Sequence, residues 1–344
     1  MRLEFVIRTL PKKHPFAISR GVSTQSRNLF AIVEHEGFRG IGEFSVGTGD
    51  PLSPDVAASQ LGELAEAGLE SLSIHEVYAD MRRRGFAGAT MAALEIALWD
   101  LKAKKAGMPL FELFGLPKRQ APTSITIGIN SPQVVKERVP ELLGTGCRNL
   151  KIKLGSRDGI EADKAMFEAC REAAKPFGAA LRVDANGGWN LADARSMLRW
   201  LSERGAEYVE QPLAKGSEDQ LPELFAGRPL PIFVDESVHF SEDVPKVAPC
   251  VDGVNLKLMK CGGISEALRI VAVARAMGLK TMIGCMSESS VGIAAGAAIG
   301  ALFDHVDLDS HLNLDPDPAD GLDLIGGVVT PRNVPGHGAW LRDA

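Results

Sequence analysis

The sequence predicts an α/β protein in which a (β/α) barrel follows an α+β domain. From about residue 121 onward, short β-rich runs alternate strictly with amphipathic helical stretches, which is typical of a barrel. The first ~115 residues differ, because their strands come before their helices without alternation. A doubly wound open sheet is the competing architecture. No Gly-x-Gly-x-x-Gly opens a helix after a predicted strand, so a dinucleotide-binding fold has no support.

The first domain begins with three strand-like segments and ends with a long helix. The Glu36-Gly37 pair is a hairpin signal between the second and third segments. The helix has apolar residues at spacings of three and four, and Gly107 and Pro109 close it. The predicted elements are strands 2–9, 29–36 and 40–43, a loop over 45–54 and a helix over 90–106.

Eight predicted strands with intervening helices across ~190 residues suggest the barrel. The last ~30 residues are rich in Gly, Pro and Asp, and we expect them to fold back onto the first domain. The strands are predicted at 124–129, 149–154, 180–184, 208–210, 231–235, 253–257, 280–284 and 306–308. The clearest helices lie at 159–174, 190–204 and 264–277. The predicted units are 1–118, 119–315 and 316–344.

Composition excludes several classes of protein. The 38 Lys and Arg against 44 Asp and Glu give a net charge of −6, which argues against a nucleic-acid or anionic-membrane partner. The five cysteines contain no Cys-x-x-Cys pair and favour a reducing, cytoplasmic location. The longest apolar stretch, 291–303, is too short to span a bilayer. A cytoplasmic protein that binds a small molecule is therefore expected.

Ionisable residues end consecutive barrel strands, one β-α unit apart. Active sites of such barrels lie at the carboxyl ends of the strands, so these side chains should converge at one mouth. Three adjacent acids repel each other, and a divalent cation relieves that repulsion. Because they offer only oxygen ligands, Mg²⁺ or Mn²⁺ suits them better than zinc. The residues are Lys151, Lys153, Asp184, Glu210, Asp235 and Lys257.

The two outer lysines, Lys153 and Lys257, are the candidate acid–base groups. Strand alternation turns Lys151 and Lys153 to one side and Ile152 to the other. A lysine beside a dication is shifted toward the neutral amine, which makes it a usable general base. Two opposed bases can remove a proton next to a carboxylate from one face and return it to the other. Lys151 and the cation would hold the charge that develops.

As a set, these residues resemble the enolase superfamily, in particular its muconate-lactonising subgroup. The resemblance implies an α+β cap, made from the N-terminal segment and the C-terminal tail, over a TIM-like (β/α)7β barrel. It also implies one Mg²⁺ per subunit on Asp184, Glu210 and Asp235, with Mn²⁺ as a substitute, and Lys153 and Lys257 as the two bases. The motifs that carry it are Lys151-Ile152-Lys153, Asp184-Ala185-Asn186, Glu210-Gln211-Pro212, Asp235-Glu236-Ser237, Asn255-Leu256-Lys257, Lys260-Cys261-Gly262-Gly263, the helix segment 93–100 and Gly107-Met108-Pro109-Leu110.

Further positions resemble dipeptide epimerases of that subgroup. Asp307-Leu308-Asp309 is similar to their Asp-x-Asp motif, in which Asp307 and Asp309 would receive the substrate ammonium. Arg20 matches the arginine that takes a Glu side chain, a favoured guanidinium–carboxylate pairing, and Arg27 is a rival for that role. Ser310-His311 departs from the Gly-Pro that often follows the motif. Thr126, Cys285 and Ser287 match other substrate-lining positions.

The predicted function is therefore Mg²⁺-dependent epimerisation of a dipeptide, with L-Ala-D/L-Glu from cell-wall peptides as the expected substrate. Other reactions of the subgroup remain open, namely N-acylamino-acid racemisation, o-succinylbenzoate synthesis and muconate cycloisomerisation. A non-catalytic scaffold is the alternative from another class. The predicted partner is the small dipeptide, and assembly into a homo-oligomer is left open.

Overall fold

The computed structural model describes residues 1–69, 73–118 and 120–342. An antiparallel sheet of three strands, in the order β1-β2-β3, opens the chain, and four helices follow it. The strands are β1 (Arg2–Ile18), β2 (Gly21–His35) and β3 (Phe38–Phe44). The helices are α1 (Pro54–Glu66), α2 (Ile74–Arg83), α3 (Gly88–Lys105) and α4 (Leu110–Leu113).

The β1–β2 hairpin is much longer than the sequence predicts. Pro11 and Pro15 are poor residues for a strand interior, which is why the predicted first strand stops at residue 9. The two strands nevertheless pair on both sides of a register irregularity between Pro11 and Phe16. Beyond it, the Ala17 carbonyl accepts a 2.8 Å hydrogen bond from the Ile129 amide of the second domain. The hairpin therefore extends over the mouth of the barrel.

Helix α3 packs across the sheet and is buried on nearly all sides, so its sequence carries apolar residues around its whole circumference. It approaches β3 closely at Gly42, where a Cβ atom would lie 2.2 Å from the Ala93 carbonyl oxygen. Only glycine fits there. The predicted helix over 90–106 is confirmed, with its start two residues earlier, at Gly88.

Eight parallel strands form one sheet with the sequential order β4 to β11. A parallel bridge between Thr123 and Val306 brings the first and last strands together, so the barrel is nearly closed. The strands are β4 (Ser124–Ile127), β5 (Asn149–Lys153), β6 (Ala180–Asp184), β7 (Ala206–Glu210), β8 (Ile232–Val234), β9 (Gly253–Lys257), β10 (Lys280–Gly284) and β11 (His305–Val306).

Helices between the strands cover the outside of the barrel. The helices of the fourth and fifth connections, α8 and α9, have only five and four residues and are flanked by 3₁₀ segments. The helices are α5 (Pro132–Gly144), α6 (Ile160–Ala174), α7 (Leu191–Ser202), α8 (Leu221–Phe225), α9 (Val244–Val247), α10 (Leu258–Cys261), α11 (Ile264–Ala276) and α12 (Ser290–Ala298).

The predicted barrel is confirmed, and three of its eight strands have the predicted bounds: β6, β9 and β10. The last strand is displaced, because it covers 305–306 rather than 306–308. Asp307 and Asp309 therefore follow the strand and lie in the loop at the mouth. Among the helices of the described residues, none has the length and apolar character needed to cross a bilayer.

The C-terminal segment contains two small antiparallel pairs, of which the first packs on the sheet of the first domain and the second contacts the barrel at Gln120 and Thr123. These are β12 (Ala319–Asp320) with β15 (Trp340–Leu341), and β13 (Leu322–Ile325) with β14 (Val328–Pro331). The His337 amide donates a 2.9 Å hydrogen bond to the buried Asp100 carboxylate of α3. The Gly336 carbonyl accepts one of 2.7 Å from the Leu110 amide. The unit boundaries remain predictions, and two of them, residues 119 and 344, lie outside the described residues.

Candidate active site

Neighbouring strands bring the predicted ionisable residues together at the carboxyl end of the barrel. The register pairs Lys153 of β5 with Asp184 of β6, and Asp184 with Glu210 of β7. Asp235 follows β8, and Lys257 ends β9. All five side chains are buried. A cluster of buried charges of both signs therefore forms the floor of the mouth.

Lys151 lies at the centre of this cluster. Its Nζ atom is 2.5 Å from Asp307 Oδ2, 2.8 Å from Glu210 Oε2 and 3.5 Å from Asp184 Oδ2. Burial alone would lower the pKa of Lys151, but the three carboxylates outweigh it and hold the pKa well above its ordinary value. Lys151 is therefore a permanent cation, suited to balance negative charge rather than to transfer a proton.

The two candidate bases each pair with a different acid. Lys153 Nζ lies 2.5 Å from Asp184 Oδ2, and Lys257 Nζ lies 2.8 Å from Asp235 Oδ2. Burial would raise the pKa of each carboxyl, but the lysines reverse this and hold the pKa of Asp184 and of Asp235 below the ordinary value. Both acids are consequently ionised at neutral pH.

The third acid, Glu210, behaves differently. Burial and then the neighbouring Asp184 carboxylate raise the pKa of Glu210 to about 8. Its Oε1 atom accepts a 2.8 Å hydrogen bond from Asn255 Nδ2. Because burial is the larger cause and Asp184 the second, the neighbouring lysines do not keep the Glu210 carboxyl fully ionised at neutral pH.

These three acids fit a hard divalent cation. In the described ranges, no three acid, His or Cys side chains already converge as a metal cluster, because lysine ammonium groups stand between the carboxylates. Glu210 Oε2 and Asp235 Oδ1 are buried and contact lysine ammonium groups, that of Lys151 at 2.8 Å and that of Lys260. Buried carboxylate oxygens on adjacent strands are the ligand type that Mg²⁺ prefers.

Residues that the sequence analysis named only as parts of motifs, without a role, hold this cluster in place. Lys260 donates to the Asp235, Val238 and Asn255 carbonyls and also pairs with the Asp235 carboxylate. The Asn186 amide donates a 2.8 Å hydrogen bond to Asp184. Strand alternation could have identified Asn255, because it precedes Lys257 by two residues and points to the same side.

Most of the predicted substrate residues line one cavity of about 100 Å³ above the cluster. This reaction cavity adjoins a larger one of about 940 Å³, and both are lined by Arg20, Asn186 and Lys257. The predicted residues that line the reaction cavity are Arg20, Thr126, Lys153, Lys257, Cys285, Ser287, Asp307 and Asp309.

The two acids after β11 lie against β4. Asp309 Oδ2 accepts a 2.6 Å hydrogen bond from the Thr126 amide, and Asp307 pairs with Lys151. Burial and then the Asp307 charge raise the pKa of Asp309 to about 7. One of the two acids is thus committed to Lys151, whereas the other has no cationic partner in the described part of the chain.

The two candidate arginines have different surroundings. Arg20 lines the cavity, but its Nη1 atom pairs with Glu236 Oε1 at 2.6 Å and its side chain is 46% exposed. Arg27 forms a two-point ion pair with Asp55, with one contact of 3.1 Å, and is not among the residues that line the reaction cavity. Only Arg20 of the two reaches the reaction cavity.

Comparison with known proteins agrees with this geometry. Residues 2–115 match the mandelate racemase / muconate lactonizing enzyme N-terminal domain, and residues 134–344 match the enolase C-terminal domain-like family. A hydrophobic dipeptide epimerase of Roseobacter litoralis is 57% identical, with 100% of both chains covered.

Solved structures give the same result. The L-Ala-D/L-Glu epimerase of Bacillus subtilis in a substrate-liganded complex superposes with a TM-score of 0.92 at 29% identity, covering 98% of each chain. The dipeptide epimerase of Enterococcus faecalis complexed with Mg and L-Leu-L-Tyr gives 0.91 at 32% identity, also covering 98% of each chain. This chain belongs to the enolase superfamily, with a mandelate racemase / muconate lactonizing enzyme N-terminal domain and an enolase-like barrel.

Proposed function

We propose that this protein is a Mg²⁺-dependent epimerase that inverts the α-carbon of the C-terminal residue of a dipeptide by two-base proton transfer. The observation that carries the proposal is the placement of Lys153 and Lys257, which line one cavity from β5 and β9. In the order β4 to β11, these strands are four places apart in a ring of eight, so the lysines approach from opposite sides.

Asp184, Glu210 and Asp235 would hold the Mg²⁺, and Mn²⁺ could replace it. When bound, the cation would stabilise negative charge on the substrate carboxylate and so acidify the neighbouring C–H bond. The Mg-bound Enterococcus faecalis relative supports this assignment. The three buried carboxylates at the ends of adjacent strands support it from the side of this chain.

Lysines of this chain would carry out the two proton transfers. One of Lys153 and Lys257, as the neutral amine, removes the α-proton. The other, as the ammonium, donates a proton to the opposite face, so the number of protons is unchanged and the stereocentre is inverted. Lys151, a fixed cation, balances the charge that develops on the substrate carboxylate.

Asp307 and Asp309 would bind the free ammonium of the dipeptide. They follow β11, which the bridge between Thr123 and Val306 places next to the first barrel strand. Asp307 shares Lys151 with the acids of β6 and β7, whereas Asp309 lies against the Thr126 amide of β4. A substrate held at both ends would keep its α-carbon between the two lysines. N-acylamino acids, muconates and the o-succinylbenzoate precursor carry no such ammonium, so these acids disfavour the other reactions of the subgroup.

Two classes of dipeptide are candidates for the substrate. Hydrophobic dipeptides are the first candidate. The name of the Roseobacter litoralis relative supports them, and so does the apolar part of the larger cavity, which includes Leu52, Phe86 and Met259. L-Ala-D/L-Glu remains the second candidate, because Arg20 lines the reaction cavity as the family resemblance implies.

A dipeptide library in D₂O with Mg²⁺ tests the proposed function. Mass spectrometry identifies each peptide that gains one deuterium, and chiral chromatography identifies each that is inverted. We expect exchange at the C-terminal residue of dipeptides alone. Exchange of N-acylamino acids without exchange of any dipeptide would show that the reaction is a different one.

A further inference from the structure

Lys12 of β1 is a cation inside the reaction cavity to which the proposed mechanism gives no task. Its Nζ atom lies 2.5 Å from Ser23 Oγ and 3.0 Å from Ser287 Oγ, and it lies 5.5 Å from the centre of the Phe16 ring. These contacts come from the hairpin and from the loop after β10. They hold the ammonium group at the cavity wall rather than in solvent.

The charge of Lys12 has no acidic partner. Within the described ranges, no carboxylate lies at ion-pair distance from it. The other cations that line the cavity each have one: Arg20 pairs with Glu236, Lys153 with Asp184 and Lys257 with Asp235. Burial lowers the pKa of Lys12 to about 8, so the group is still mostly charged at pH 7.

The hydrogen bonds of Lys12 are also incomplete. An ammonium group has three donors, and the two serine hydroxyls account for two of them. A partly buried cation with a free donor gains more from an anionic acceptor than a paired and half-exposed guanidinium does. Arg20 is such a guanidinium, since Glu236 already neutralises it.

We propose that Lys12, rather than Arg20 or Arg27, binds the side-chain carboxylate of an acidic dipeptide and thereby determines whether the site accepts one. This inference rests on the proposed function, because it assumes that the cavity holds a dipeptide. Lys12 would share its remaining proton with the carboxylate while the serines hold the ammonium in place. A hydrophobic side chain would gain nothing from the ammonium group and could contact the Phe16 ring and the aliphatic part of the lysine.

The test measures binding of three dipeptides in the presence of Mg²⁺ by equilibrium dialysis: L-Ala-L-Glu, L-Glu-L-Ala and L-Ala-L-Leu. Lys12→Met should weaken binding of one acidic dipeptide by about tenfold or more and leave L-Ala-L-Leu within about twofold. Lys12→Arg should restore acidic binding. Whichever acidic dipeptide responds identifies the residue whose side chain Lys12 contacts.

Two further variants complete the comparison. Lys13→Met is the matched control, because Lys13 is exposed and donates to the Leu312 carbonyl outside the reaction cavity. Arg20→Met tests the rival. A selective loss of acidic binding in Arg20→Met, an equal loss for all three dipeptides in Lys12→Met, or no acidic binding by the wild type would each overturn the assignment.

Measurements on the wild type and the same variants distinguish a failure of this inference from a failure of the proposed function. Deuterium incorporation in D₂O reports on epimerisation, whereas dialysis reports on recognition of the side chain. Selective binding through Lys12 without deuterium incorporation would support the assignment of Lys12 and contradict the epimerase. Deuterium incorporation without a selective effect of Lys12→Met would support the epimerase and contradict the assignment of Lys12.

Discussion

The role of each buried lysine in this site depends on the carboxylates that surround it. Lys151, Lys153 and Lys257 are all buried lysines, yet only Lys151 contacts three carboxylates. The other two contact one each and line the cavity. Burial alone would lower the pKa of Lys257, but the Asp235 carboxylate outweighs it and raises the pKa. A cation bound to Asp235 would offset that carboxylate and favour the neutral amine of Lys257.

Asp309 gives the site a pH dependence that can be measured. Because burial and Asp307 raise the pKa of Asp309 to about 7, its carboxyl is protonated in acid and cannot pair with an ammonium. As the pH rises from 6 to 8 the carboxylate forms, so KM for the dipeptide should fall. Above about pH 8 the substrate amine itself loses its proton and KM should rise again.

Asp309→Asn should remove the acid limb of this profile and raise KM about tenfold at pH 8. Measuring kcat and KM from pH 5.5 to 9 checks both effects. Asp315→Asn, outside the residues that line the reaction cavity, is the control. An unchanged acid limb in Asp309→Asn would show that another group titrates.

Helix α11 illustrates how an element of the barrel depends on the first domain. Its N-terminus begins after Gly263 and has no side-chain cap of its own. Instead, the buried Glu95 carboxylate of α3 accepts 2.7 and 2.8 Å hydrogen bonds from the Ile264 and Ser265 amides. A Cβ atom on Gly263 would lie 2.1 Å from that carboxylate. The glycine is therefore needed for one domain to cap a helix of the other.

Glu95→Gln should reduce the free energy of unfolding by about 2 kcal/mol, because the amide nitrogen that replaces one carboxyl oxygen cannot accept a hydrogen bond from the helix amides. Urea unfolding measures the difference. Glu66→Gln on α1 is the matched control, because Glu66 is exposed. Equal stability of the two variants would contradict the capping role of Glu95.

The bounds of an element could be predicted where its own residues mark them, and not where they depend on a partner strand. Strands β6, β9 and β10 are short apolar runs whose ends are marked by charged or glycine residues, and their bounds were predicted correctly. The β1–β2 hairpin was underestimated, since Pro11, Pro15 and polar residues hide a pairing that the two strands create together. Strand β11 has only two residues, and its position depends on β10 and on the bridge at Thr123.

On the scale of the whole molecule, the residues that converge at the barrel mouth could be predicted from the sequence. Strand-end spacing placed the acids and lysines at one mouth, because a closed parallel barrel leaves no other arrangement. Lys12 gave no such signal, because it reaches the cavity through the hairpin that was underestimated. Lys260 was named within a motif, but its role was not predicted, because it acts through backbone carbonyls.

Binding of Mg²⁺ should stabilise the whole fold, because the acids repel one another and Glu210 has a raised pKa. At a free concentration a hundredfold above Kd, the gain is about 2.7 kcal/mol. Urea unfolding with Mg²⁺ and with EDTA measures it. The gain should be largely lost in Glu210→Gln and retained in Glu203→Gln, an exposed control. An equal gain in both variants would place the ion elsewhere.

The most direct measurement follows deuterium at the α-carbon of each dipeptide epimer in D₂O with the Lys153→Ala and Lys257→Ala variants. If the two lysines serve opposite faces, both variants should lose epimerisation by at least about a thousandfold. Each variant should retain exchange, if any, with only one epimer, and the two variants should retain opposite epimers. Epimerisation that persists in either variant, or the same surviving epimer in both, would contradict the two-base assignment.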